Sequence, residues 1–217
     1  MTAAPADDPK RIVAAGYDVV APRYLEWSGL RPSAVRLDYL RRALDLIPTG
    51  SDVLELGCGA GIPMTAALAE GRRVTGVDIS ATQVALARRN VPAATFIHAD
   101  MTTLDFPAGS FDAVVAFYSL THVPRDEQPA LLNRIRSWLR PGGLFLASMG
   151  AEPSPDGVED WLGVPMFFSH FGARRNRRLV EEAGLVIEDA RVRAEPEDRH
   201  DARFLWVIAR VPLEPVP

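Results

Sequence analysis

The chain has 217 residues, with 24 Lys plus Arg against 28 Asp plus Glu, 47% hydrophobic and 24% charged. That composition is ordinary for a globular domain, so one domain with a sizeable core is the default expectation. A net charge of −4 gives no general attraction to nucleic acid, and the single cysteine, Cys58, excludes an internal disulfide and a Cys-rich zinc site. No run of about 18 apolar residues occurs, and Met1 to Lys10 carries Asp7 and Asp8 with no apolar stretch behind a basic start. Neither a membrane span nor a targeting signal is expected, and a cytoplasmic protein follows.

In chain order, the N-terminal region carries two helical patterns interrupted at Pro22 and Pro32. The spacing of β-branched runs then predicts strands over 53–57, 73–78, 95–98, 111–117 and 144–149, with two more over 185–194 and 204–210. Between them lie helix signals. Pro63 suits the first turn of a helix, and Ser80 with Gln83 forms a capping-box pattern that opens a helix over 81–90. Leu131, Leu132, Ile135, Trp138 and Leu139 share one helical face, stopped by Pro141-Gly142-Gly143. Arg174 to Gly184 reads as a helix whose Arg174–Arg178 run is a solvated face. Strand–helix alternation of this kind implies a mostly parallel sheet covered on both faces. The connection 150–172 is long and rich in Pro and Gly, yet its aromatic residues argue for an ordered cap.

The most informative stretch is Glu55-Leu56-Gly57-Cys58-Gly59-Ala60-Gly61, a buried strand running into a glycine-rich turn at the start of a helix. Glycines there let the backbone turn sharply and approach a ligand closely. Asp78 ends the next strand, where a carboxylate can accept both hydroxyls of a ribose. The G-x-G-x-G spacing differs from the dinucleotide G-x-G-x-x-G, and no Lys-Ser/Thr follows to make a phosphate loop. A nucleoside without a pyrophosphate is therefore the expected ligand. Asp100-Met101 follows the third strand.

With these motifs in this order, the chain resembles the class I S-adenosylmethionine-dependent methyltransferases, in particular the single-domain enzymes of small molecules. The resemblance covers roughly residues 10 to 210. It implies a Rossmann-like, seven-stranded, mostly parallel sheet with helices on both faces and an antiparallel last strand. The implied division is a helical lid over 1–47, a cofactor-binding core over 48–149, a substrate cap over 150–172, a C-terminal helix and strands over 173–211, and a tail over 212–217.

The implied cofactor is S-adenosylmethionine, with no metal. Glu55, Gly57, Cys58, Gly59 and Gly61 would surround its methionine end, with Phe117 lining that side. Asp78 would hold the ribose, Ile79 would pack on the adenine, and Asp100 with Met101 would read the adenine edge; a plain turn-capping role for Asp100 stays open. Methyl transfer to a protic acceptor calls for a base, and His122, His170 and Tyr17 are the catalytic candidates. His122 is as well read as pocket wall, and His170 as a loop clasp. His98 and His200 read as structural. Tyr24, Trp27, Trp161, Met166, Phe167, Phe168 and Phe171 predict an apolar acceptor pocket suited to a flat organic molecule.

The expected activity is methylation of O, N or C of a small aromatic or apolar metabolite, in the manner of secondary metabolism. A methyltransferase-like cyclase that uses the cofactor non-reactively, and a catalytically silent cofactor-binding partner protein, are the alternatives. Beyond the small molecule no nucleic-acid or membrane partner is expected, and homodimer formation stays open. The Asn/Asp-Pro-Pro-aromatic motif of DNA amine methylation and the acidic triad of the magnesium-dependent catechol type are both missing.

Overall fold

A computed structural model of the chain describes residues 8–30, 33–196 and 201–213, without the side chains of 27–30, 196 and 201. The Trp27 side chain, His200 and most of the expected tail therefore lie outside what is described. Among the described residues, no helix is long and apolar enough to cross a membrane.

All seven expected strands form one sheet in the order β3-β2-β1-β4-β5-β9-β8. They are β1 (Asp52–Leu56), β2 (Arg73–Asp78), β3 (Thr95–His98), β4 (Phe111–Ala116), β5 (Leu139–Gly150), β8 (Val186–Pro196) and β9 (Asp201–Arg210). β1 to β5 run parallel to one another, and β9 is antiparallel to both β5 and β8. β1 and β4 lie side by side while their connections leave in opposite directions, the arrangement that opens a crevice beyond the carboxyl ends of a parallel sheet.

Two helical layers explain the apolar strands. On one face, α5 (Gln128–Trp138) and α6 (Ala173–Glu182) bury Leu131, Leu132, Ile135, Trp138, Leu179 and Val180 against Leu54, Val114 and Phe145. On the other, α2 (Ala34–Leu46) and α3 (Met64–Ala69) bury Tyr39, Ala43 and Leu68 against Val53, Val115 and Leu146. Alternate residues of each strand thus meet opposite layers, and strands buried on both sides read as continuous apolar runs. The fourth helix, α4 (Ala81–Asn90), starts where predicted: Ser80 Oγ accepts from Gln83 N at 3.1 Å.

Two expectations need correction. Pro22 does not interrupt the first helix, because α1 runs unbroken from Pro9 to Leu30. Proline within a helix deletes one backbone bond and crowds the preceding turn. Tertiary contacts outweigh that here, since Val13 packs with Met166 and Phe167, and Asp18 bonds the start of α4.

The second correction concerns 150–172, which is more than a connection. It holds a separate antiparallel hairpin of β6 (Ser154–Trp161) and β7 (Val164–His170). Leu162 and Gly163 turn the chain with φ of 53° and 81°, the paired left-handed geometry of a tight hairpin turn. An irregularity between Ser154 and Gly157 masks the period-two pattern, and Pro165 lowers the strand signal.

Candidate active site

At the end of β1 the backbone enters the left-handed region at Gly57, Gly59 and Gly61, with φ of 76°, 54° and 80°. At Gly57 the need for glycine is also steric, because a Cβ would stand 2.3 Å from Ser119 Cβ. Ser119 itself is tied to the strand end, its hydroxyl donating to Leu56 O at 2.7 Å.

Four of the loop's N–H groups are committed internally. Gly57 N and Cys58 N donate to Val77 O, Gly61 N to Cys58 O, and Gly59 N to Asp78 Oδ2 at 2.9 Å. A phosphate cradle needs such groups turned toward the ligand. These four are turned inward instead, in accord with a ligand that lacks a pyrophosphate.

Asp78 closes the loop from β2. Its Oδ1 accepts from Ser80 N and its Oδ2 from Gly59 N, each at 2.9 Å, while the residue is 8% exposed. A carboxylate has about four acceptor positions, so one on each oxygen remains for hydroxyl donors. Burial pushes the Asp78 pKa up, against the pull of those two backbone bonds.

Around this point lies a cavity lined by Tyr17, Gly57, Asp78, Phe117, Tyr118 and His122. It continues toward Ile79, Asp100 and Met101 on one side and toward Glu55, Cys58, Tyr24 and Arg36 on the other.

The second of those ends sets a carboxyl group near a guanidinium. Glu55, 5% exposed, accepts a hydrogen bond from Thr65 Oγ1 at 2.5 Å, and burial pushes its pKa up to about 8. Arg36 lies over the Tyr118 ring at 4.4 Å, with its Nε buried and unpartnered. Burial opposes its charge, but Tyr24 and Tyr118 beside it prevail and hold its pKa above the ordinary arginine value. A buried acid and a buried guanidinium at one end of a cavity suit an amino-acid zwitterion. The carboxylate at Asp78 suits a ribose, so these residues fit S-adenosylmethionine.

The predicted residues divide clearly. Glu55, Gly57, Cys58, Gly59, Asp78, Ile79, Asp100, Met101 and Phe117 line the connected cavities, as do Tyr17, Tyr24 and His122. Gly61 does not; it packs against α4, where a Cβ would stand 3.1 Å from Val91 Cγ2. Asp100 both lines the end of the cavity beyond Asp78 and caps its own turn, accepting from Thr102 N at 2.8 Å.

The aromatic cap residues are mostly packing. Met166 and Phe167 are buried between β7 and Val13 of α1, and Phe171 packs against the main core. Trp161 and Phe168 sit behind the cavity wall. Trp161 contacts Tyr17 and Tyr24 with ring centroids 5.6 and 5.5 Å away, and Phe168 lies 4.8 Å from His122. His170 is the loop clasp, its Nδ1–H donating to Glu152 O at 2.7 Å. His98 likewise holds Ile79 O at 3.0 Å.

Tyr17 and His122, far apart in sequence, meet at the cavity wall. Tyr17 Oη donates to His122 Nε2 at 2.9 Å, and His122 Nδ1–H donates to Phe167 O at 2.8 Å. The carbonyl fixes the tautomer and leaves Nε2 as acceptor. Burial lowers the His122 pKa to about 4 and raises that of Tyr17 well above its usual value. Arg36, Gln83, Tyr118 and Ser119 line these cavities without having been anticipated. Tyr118 has φ of 60°, a backbone strain that no local motif announces.

The family described as a methyltransferase domain matches residues 53–143. A Mycolicibacterium smegmatis protein named "Probable S-adenosylmethionine-dependent methyltransferase" is 32% identical over 140 residues, covering 64% of this chain and 54% of its own. The ubiquinone biosynthesis O-methyltransferase of Xanthomonas axonopodis pv. citri is 32% identical over 126 residues, covering 55% and 51%. The chain thus spans about half the length of the curated relatives it matches. Among solved structures, an S-adenosylmethionine-dependent methyltransferase of Mesorhizobium loti superposes with a TM-score of 0.64 at 26% identity, over 82% of this chain and 98% of that one. With the glycine loop, Asp78 and the sheet order in place, the chain belongs to the class I S-adenosylmethionine-dependent methyltransferases, residues 53–143 carrying the family's domain match.

Proposed function

We propose that this protein transfers the methyl group of S-adenosylmethionine to an O, N or C atom of a small aromatic or apolar metabolite. The observation that carries this reading is the Tyr17–His122 pair, set on the wall of the same cavity as Gly57, Asp78 and Phe117. When bound, S-adenosylmethionine supplies an electrophilic methyl on a sulfonium, which a nucleophile displaces.

The chain's own residues do the rest. Glu55 offers a carboxyl and Arg36 a positive charge at one end of the cavity, Asp78 accepts hydroxyls at its middle, and Ile79 and Met101 wall the other end. Tyr17 presents its hydroxyl to the cavity, and His122 Nε2 stands behind it as the proton acceptor. A protic acceptor would pass its proton to Tyr17 Oη as the Tyr17 proton moves to His122 Nε2. With its pKa lowered to about 4, His122 is neutral at neutral pH, which keeps Nε2 an acceptor for the Tyr17 hydroxyl, and the same burial makes it a weak base that takes the proton only as the acceptor gives up its own. Such positioned proton transfer contributes about 10²- to 10⁴-fold to rate. Tyr24, Trp161 and Phe168 pack around the pair and exclude water, which favours alignment over hydrolysis.

The test is incubation of the purified protein with methyl-labelled S-adenosylmethionine and a panel of phenols, amines and carbon acids. The expected result is label in an acceptor that has gained one CH₂ unit. Failure of the protein to bind S-adenosylhomocysteine in calorimetry would overturn the reading.

A further inference from the structure

The capping box that the sequence suggests is only half formed. Ser80 Oγ accepts from Gln83 N at 3.1 Å, but Ser80 N, which the Gln83 side chain would meet in a complete box, donates instead to Asp78 Oδ1 at 2.9 Å. Asp78 has displaced the glutamine from its local partner. Gln83 is 1% exposed, and neither its Oε1 nor its Nε2 has a hydrogen-bond partner. Buried amides are almost always satisfied, so one left open on both atoms calls for an explanation.

The surroundings supply one. Gln83 lines the central cavity together with Gly59, Asp78 and Ile79. A Cβ built on Gly59 would stand 4.0 Å from Gln83 Oε1, so the amide lies directly beside the glycine loop. A carboxylate accepts hydrogen bonds but donates none, whereas a hydroxyl needs both a partner that accepts and one that donates. Asp78 and Gln83 offer both kinds within one wall.

We propose that Gln83 is a cofactor-positioning residue that hydrogen-bonds a ribose hydroxyl beside Asp78, a role that rests on the methyltransferase reading above. The helix-capping glutamine of the sequence is in this fold a ligand-reading group. Removing its amide leaves the unloaded protein no less stable, because no partner within the protein is lost.

The test is calorimetry with S-adenosylhomocysteine and its 2′-deoxy and 3′-deoxy ribose analogues on the wild type, Gln83→Leu and Gln83→Met, with thermal melts of each unloaded protein. Both variants should bind S-adenosylhomocysteine about three- to tenfold more weakly, the size of one neutral hydrogen bond. On one of the deoxy analogues wild type and variants should bind alike, and the unloaded variants should melt at or above the wild type. Equal losses on all three ligands, no loss on any, or earlier melting of both unloaded variants overturns the proposal. A wild type that binds the three ligands alike overturns the Gln83 assignment while leaving the cofactor reading intact. A wild type that does not bind S-adenosylhomocysteine overturns both.

Discussion

The two walls of the active-site cavity are built on different principles. The wall from β1 and β2 is made by backbone geometry over short distances, with Gly59 N and Ser80 N closing on one carboxylate, Asp78. The wall from α1 and the β6–β7 hairpin is made by side chains that meet across the sequence. Tyr17 reaches His122 over 105 positions, and His122 reaches Phe167 over 45. On the proposed function the first wall binds and the second excludes water and moves protons, so a lesion in one should leave the other's task recognisable.

The largest expected effect falls on the second wall. His122→Ala should lower turnover about 10²- to 10⁴-fold in single-turnover assays with an identified acceptor, while S-adenosylhomocysteine affinity in calorimetry stays within about twofold. Tyr17→Phe should fall in the same direction. Unchanged turnover in both variants would reduce the pair to packing and erase the functional contrast between the walls.

The walls also differ in how they respond to pH. The folded His122 pKa, about 4, lies below the ordinary value of about 6.5, so its neutral form is favoured by folding. Stability linked to it is present above about pH 6.5 and is lost as pH falls toward 4. Glu55 behaves oppositely. Its pKa, raised to about 8, links stability that is present at low pH and lost as pH rises through about 8. Urea titrations across this range should show Glu55→Gln removing the alkaline loss and His122→Gln removing the acid loss, each a few kcal/mol in total. A Glu55→Gln profile that parallels the wild type would show that this carboxyl titrates normally.

Asp78→Ala should weaken S-adenosylhomocysteine binding by about 1.5–3 kcal/mol for each charge-assisted bond lost, with turnover falling only as binding does. Unchanged affinity would displace the ribose from this position.

The smallest effect concerns the seam between the walls. Lys10, the sole lysine, bonds Asp100 Oδ2 at 3.0 Å and Glu127 Oε2 at 2.6 Å, and Asp18 accepts from Ser80 Oγ and Thr82 N. These contacts clamp α1 to the cofactor side. Lys10→Met should cost at most about 1 kcal/mol and speed hydrogen exchange in α1. Exchange in β1 and β2 should not change. Equal acceleration in both would mean that the walls open as one unit.

Much of the fold was legible because its signals are local. Seven strands, the loop at Gly57, the cap at Ser80 and the stop before Pro141 each follow from propensity, periodicity or glycine within a few residues. The hairpin was missed because Pro153, Pro155 and Pro165 resemble loop residues, and only Leu162-Gly163 marks the turn. At the site, the residues of the glycine loop and Asp78 could be named from spacing. Arg36, Tyr118 and the meeting of Tyr17 with His122 could not, because no spacing rule joins α1, α2 and the end of β4.

Sequence alone therefore determined an α/β fold with a glycine loop at the end of its first strand, since backbone conformations that only glycine tolerates leave a readable mark. Which aromatic residues face the cavity, which merely fill space beneath α1, and which buried amide is left to meet a ligand were decided by tertiary packing. Burial and partner choice depend on what distant segments bring to the same few ångströms.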